Sequence, residues 1–165
     1  MIKEFWKLAK MLFSSSPSEV DKVVLMGMNH IPFKGYKYIM WCGHIIYRND
    51  KKEEREKEWK KKTFRIDENH KTIHLMQAKT CGSWKKYYWS YFKEWMKGNP
   101  VFENKKAVYY TNPYESEAYA NEENLDYCKN YDGSNLPKYR FKNRISLYFS
   151  VGGTGSSWKK YIKTL

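Results

Sequence analysis

Ile2, Phe5, Trp6, Ala9, Leu12 and Phe13 fall on one face at helical spacing, with Lys3, Lys7 and Lys10 elsewhere on the turn. The spacing predicts a helix over 2–13, ended by Ser14-Ser15-Ser16-Pro17. Residues 20–28, VDKVVLMGM, form an apolar run that fits strand or helix equally. Pro32 and Gly35 then punctuate the chain. Tyr36–Met40 and His44–Arg48 are aromatic and β-branched, which predicts two short strands around Gly43. Residues 51–62, KKEEREKEWKKK, mix signs and place Glu53–Lys57 and Glu56–Lys60 four apart, so a solvated helix or an exposed, insertion-like loop is expected. A helix follows over 66–80, with Asp67 as its N-cap and Gly82 as its stop. A second runs over 83–97, capped by Ser83. Its stripe of Trp84, Tyr87, Tyr88, Tyr91, Phe92 and Trp95 reads as core rather than as a stacking surface for bases.

Gly98-Asn99-Pro100 breaks the pattern, and a loop is expected to Asn112. Pro113 then opens a helix over 113–124. Residues 126–143 read as irregular. The closing GGTGSSWKKYIKTL reads as a glycine hinge before a short helix, and it lacks the Gly-Lys-Ser/Thr of a phosphate loop. The predicted units are an amphipathic helix and linker over 1–19, a central domain over 20–125 and a basic C-terminal extension over 126–165. The first helix docks either on its own domain or on a partner.

At 165 residues the chain is long enough for one domain with a real core, and an aromatic content of 18% argues against disorder. Charge changes the picture more. Against 31 Lys and Arg stand 18 Asp and Glu, a net charge of +13, which suits nucleic acid, an anionic membrane or an acidic protein. No acidic residue follows Asp132, while Lys138, Arg140, Lys142, Arg144, Lys159, Lys160 and Lys163 are all basic, and these are the candidate polyanion or partner contacts. Cys42, Cys81 and Cys128 are odd in number and widely spaced. They read as free thiols of a cytoplasmic protein. No apolar run is long enough to span a membrane, and the N-terminal stretch does not read as a signal peptide.

The chemistry lies in ENHKTIHLMQ, residues 68–77. His70 and His74 differ by about 40° around a helix and sit one turn apart, so both imidazoles can reach one metal ion. Gln77 continues that face. A third ligand has to come from elsewhere, and the 113–124 helix offers Glu115, Glu117, Glu122 and Glu123. His30 and His44 have no partner at ligand spacing and read as structural.

Four blocks occur in order: HIPFKGYKYI at 30–39, NHKTIHLMQ at 69–77, YYWSYFKEW at 87–95 and NPYESEAYANE at 112–122. Together they resemble a small gluzincin-type, zinc-metallopeptidase-like family of Bacteroidetes and their phages, over roughly residues 25–124. The resemblance implies an α+β, minimal zincin-like domain, mostly helical with a short β-hairpin. It implies Zn²⁺ on His70, His74 and Glu115. It also implies Gln77 and Tyr119 in supporting places, Tyr119 standing where relatives often carry an Asp that holds a ligand histidine.

Lys71 departs from the pattern. It stands where the family carries the glutamate that deprotonates zinc-bound water, and a protonated lysine has no such role. Glu68 lies about 200° round the helix from His70 and offers no replacement, and Glu117 stands in the same relation to Glu115. Three states stay open: zinc without peptidase activity, no zinc with Glu115 paired to Lys71 or a histidine, and an active site with an unconventional base. The expected function is a metallopeptidase-like protein without its general base, acting as a binding or assembly module. The alternatives are a structural phage component of the tail or head-to-tail region and an active zinc-dependent peptidase. A protein partner or homo-oligomer is expected, with nucleic acid as a further partner of the basic surface. The expected location is the bacterial cytoplasm or a phage virion.

Overall fold

A computed structural model describes residues 2–33, 36–61 and 64–165. The Gly35 breaker and Lys62, the end of the charged run, lie outside the described residues. The fold is α+β. Its small sheet contains β1 (Val24–Met28), β2 (Ile39–Trp41) and β3 (His44–Arg48), with β3 in the centre. β1 runs parallel to β3, from Val24 opposite His44 to Met28 opposite Arg48, while β2 runs antiparallel to it. The β2–β3 turn takes Cys42 and Gly43 through φ of 46° and 78°, the pair of positive values that closes a two-residue hairpin. Gly43 is needed twice over, because a Cβ there would lie 2.7 Å from Val20 Cγ1.

Successive side chains of β3 face opposite ways. Ile45 enters a core with Leu75, Ala78, Trp84, Tyr87 and Tyr114, and Ile46 enters a second with Leu8, Met28 and Ile31. The sheet is therefore covered on both faces. On one side lie α3 (Phe64–Cys81) and α4 (Trp84–Lys97). On the other lies α1 (Ile2–Ser14), whose last turns reach round to α4 through Met11, Leu12 and Phe13. Two polar ties fix α1 in place. Trp41 Nε1 donates to the Leu8 carbonyl at 2.9 Å, and Glu4 accepts from the backbone N–H groups of Asn29 and His30 at 2.6 and 3.2 Å. The charged run contains α2 (Lys52–Trp59), which buries no residue and is held at its end by Trp59 packed on Phe64.

Several boundaries differ from expectation. α3 begins at Phe64, so Asp67 sits inside the first turn rather than at the cap, where its charge still opposes the positive end of the helix. Ser83 does cap α4, accepting from Lys86 N. The aromatic stripe of α4 is core only in part: Trp84 and Tyr87 are buried, Tyr88, Tyr91 and Trp95 half-buried, and Phe92 exposed. The stretch expected as loop holds α5 (Lys105–Tyr110), started by Asn104, whose side chain accepts from Lys106 N and Ala107 N. α6 runs Pro113–Asn121 and stops short of 124.

Residues 126–165, expected as an extension, contain α7 (Arg144–Ser150) and α8 (Gly155–Ile162) and pack over α5 and α6. Ala107, Tyr139, Tyr148, Trp158 and Ile162 make a further core there. Trp158 Nε1 donates to Ser116 Oγ at 3.2 Å, and Ser116 Oγ donates to the Tyr110 carbonyl. Gly155 lies against the Tyr110 ring, with room for no Cβ. This packing presses α6 onto α3. Trp158→Ala removes a fully buried indole and is expected to cost about 3–5 kcal/mol. Urea unfolding followed by far-UV circular dichroism should show that loss in a single cooperative transition.

Candidate metal centre

α3 turns His70 and His74 inward, and both side chains are buried. α6 faces them and brings up Glu115, also buried. Asn112 starts α6 by accepting from Tyr114 N, and Pro113 occupies the first turn, so the helix enters at a fixed place. Asn69 ties its far end to α3, donating to the carbonyls of Glu122 and Asn124 at 2.9 and 3.0 Å.

The hydrogen bonds decide which ring nitrogens are free. His70 Nδ1 meets Glu122 Oε2 at 2.9 Å, and a carboxylate only accepts. His74 Nδ1 meets Gln77 Oε1 at 2.8 Å. The orientation of Gln77 is set by its amide, which donates to the Tyr114 carbonyl at 3.0 Å and to Glu117 Oε2 at 2.7 Å. Each imidazole therefore carries its proton on Nδ1 and presents a bare lone pair at Nε2. Those two Nε2 atoms face each other at 3.2 Å. Glu115 completes the triangle, with Oε2 at 3.4 Å from His70 Nε2 and Oε1 at 3.5 Å from His74 Nε2. Glu115 Oε2 is buried without a hydrogen-bond partner among the described residues, while Tyr91 donates to Oε1 at 2.8 Å.

Three lone-pair donors pointed at one another repel unless a proton or a cation lies between them. The spacing suits a cation. A tetrahedral ion with bonds of about 2.0–2.1 Å sets neighbouring donor atoms about 3.3 Å apart. His70, His74 and Glu115 can thus hold a metal ion.

The electrostatics agree. Burial opposes ionisation of Glu115, and it takes positive charge on the facing His74 and His70, or a cation between them, to hold the carboxyl well below the usual range. Burial pushes His74 down, which favours its neutral form. Burial also pushes Glu117 up. That carboxylate sits behind Gln77 and accepts from the hydroxyls of Tyr127 and Tyr131.

The structure redistributes several expected roles. Gln77 takes its supporting place. Tyr119 hydrogen-bonds neither histidine of the centre: its ring packs 4.4 Å from the His70 ring and its hydroxyl pairs with Tyr109. Glu122 holds His70 instead. The spacing of seven from Glu115, two turns along one helix face, is the signal that could have found it. Glu115 pairs with the two histidines rather than with Lys71. Lys71 forms no ion pair among the described residues and lines two cavities. One, of about 300 Å³, includes His74, Tyr87, Tyr91, Tyr109 and Glu115. The other, of about 230 Å³, includes His70, Tyr119, Glu122 and Lys159. Glu115, Glu117 and Glu122 are engaged by the histidines, Gln77 and the tyrosines, whereas Asp67 lines the smaller cavity beside His70 and Lys71 and forms no ion pair among the described residues.

The seven basic candidates do not form one surface. Arg144 is buried against Glu94, donating to its carbonyl and lying 3.6 Å from its carboxylate. Arg140 also faces Glu94, and Arg140, Lys142 and Arg144 line one cavity. Lys159 reaches Glu122 at 3.5 Å and covers the Tyr119 ring, and Lys163 pairs with Glu123. Lys138, Lys142 and Lys160 are exposed. His30 pairs with Glu4 and His44 with the Cys42 carbonyl, both away from the centre. The three cysteines are free, and no described helix is long and apolar enough to cross a membrane.

Comparisons with protein-family models, with curated proteins and with solved structures find no match.

If Glu122 and Gln77 orient the two imidazoles, Glu122→Ala and Gln77→Leu should each weaken metal binding by about 10–100-fold in calorimetric titrations. Tyr119→Phe, which removes only the hydroxyl facing Tyr109, should leave the affinity within about twofold.

Proposed function

We propose that this chain is a zinc-binding module of zincin type, with Zn²⁺ held by His70, His74 and Glu115, and that it binds rather than hydrolyses. The observation that carries the reading is the convergence of two Nε2 lone pairs and the unpartnered Glu115 Oε2 on one buried point. Two imidazoles and one carboxylate in tetrahedral spacing are a donor set that suits zinc. When bound, the ion supplies a Lewis acid that polarises an oxygen ligand.

Hydrolysis also needs a proton acceptor beside that oxygen. Lys71 stands at that point of α3, and an ammonium donates but does not accept. Glu115, Glu117 and Glu122 are spoken for by the histidines, Gln77 and the tyrosines. Asp67, without an ion pair among the described residues, lines the smaller cavity and not the one that contains His74 and Glu115. The residues thus favour holding an anionic group over activating water. The tyrosine-lined cavity that contains Lys71, His74 and Glu115 is where an acidic segment of a protein partner reaches the centre.

Metal analysis of the purified chain tests the first half, with about one Zn²⁺ per chain expected and its loss in His74→Ala and Glu115→Gln. Peptide turnover tests the second. No turnover is expected from the natural chain, and Lys71→Glu should gain it while keeping zinc. Turnover by the natural chain that disappears in His74→Ala would overturn the non-hydrolytic reading, and absence of zinc would overturn both.

A further inference from the structure

The apolar face of α1 is only half used. Leu8 is buried, and Met11 and Leu12 pack on the body. Ile2, Phe5, Trp6 and Phe13 occupy a neighbouring arc of about 100°. There they are left open, Ile2 at 75%, Trp6 at 73% and Phe13 at 69% exposed. α4 has a matching stripe. Lys85, Trp89, Phe92 and Met96 fall within about 60° of one another. Trp89 is 61% exposed, and Phe92 and Met96 are exposed beside it. The two stripes meet where Lys85 Nζ lies 4.4 Å from the centre of the Phe13 ring. Apolar side chains exposed side by side on two adjoining helices mark a surface that something covers.

The exposed charge on these two helices is of one sign. Lys3 and Lys10 border the α1 stripe, and Lys85, Lys86 and Lys93 lie in or beside that of α4. The two helices carry one acidic residue each, and both are turned into the protein. Glu4 is tied to the backbone of Asn29 and His30, and Glu94 is buried among Lys97, Arg140 and Arg144. A second copy of this chain would set lysine against lysine. Nucleic acid would answer the lysines but leave Ile2 and Met96 without a partner. An anionic lipid surface answers both, with acyl chains under the apolar stripes and headgroups at the lysines. Trp6 lies between the apolar arc and the Lys3 and Lys10 side of α1, the position that an indole takes at the edge of a bilayer.

We infer that the α1–α4 face is a membrane-docking surface that lays the protein flat on an anionic bilayer. The inference is independent of the metal centre, whose residues lie on α3 and α6.

The test is flotation of the full chain with vesicles of phosphatidylcholine containing phosphatidylserine, compared with phosphatidylcholine alone. Binding to the anionic vesicles is expected, with at least about a tenfold loss on neutral vesicles, in Trp6→Ser/Phe13→Ser and in Trp89→Ser/Phe92→Ser. These side chains are largely exposed, so the variants should keep the circular dichroism and the zinc content of the natural chain. Lys52→Gln/Lys57→Gln, on α2, which packs on α3 and β3 rather than on α1 or α4, should bind as the natural chain does. No binding to the anionic vesicles would overturn the inference. So would binding that both apolar double variants retain, which would reduce it to net charge alone. A dimer abolished by the same double variants would assign the face to a second copy instead.

Discussion

Two imidazole nitrogens that face each other at 3.2 Å inside a protein, each with its proton committed to the opposite side of the ring, are unstable company without a cation between them. Much of the structure around them keeps them there. Glu122 and Gln77 fix the tautomers. Glu117 fixes Gln77 and is held in turn by Tyr127 and Tyr131. Tyr91 fixes Glu115. Glu115, Glu117 and Glu122 are three buried carboxylates on and just after one short helix. Burying such groups is costly unless each is paired or hydrogen-bonded, and of their oxygens only Glu115 Oε2 lacks a hydrogen-bond partner among the described residues. A dication at the centre would compensate that oxygen and both imidazoles together.

The fold supplies the confinement. α3 lies on the sheet through Leu75 and Ala78, α4 backs it through Trp84 and Tyr87, and the C-terminal helices hold α6 against it through Trp158 and Ser116. The centre sits where α3 and α6 press together, with Lys71 at the junction of the two cavities that flank it. Basic charge is spread around this core in separate groups rather than in one patch. Arg144 and Arg140 neutralise Glu94, Lys159 neutralises Glu122, and lysines on α1 and α4 remain for the outside.

Much of the architecture was legible in the sequence where a period ran long enough. The α1 stripe, the hairpin around Gly43, the histidine helix and the aromatic helix all carried clear repeats. β1 was ambiguous because a strand covered on both faces reads as a continuous apolar run. α5 and α7 were missed because six or seven residues show less than two turns of pattern. At the site, the spacing of His70 and His74 was visible directly, and Glu115 through the resemblance. Glu122 stayed hidden because its role depends on which face of α6 turns to α3, a tertiary fact. The same holds for Arg144, whose basic neighbours suggested a surface but which Glu94 draws inside.

The measurement that bears most directly on the centre is zinc K-edge X-ray absorption on the metal-loaded chain. Two imidazole nitrogens at about 2.0–2.1 Å with the remaining ligands oxygen is the expected result, with one imidazole lost in His74→Ala. Sulfur at about 2.3 Å would place the ion on cysteine. That result, or a chain that retains no zinc, would contradict the assignment to His70, His74 and Glu115.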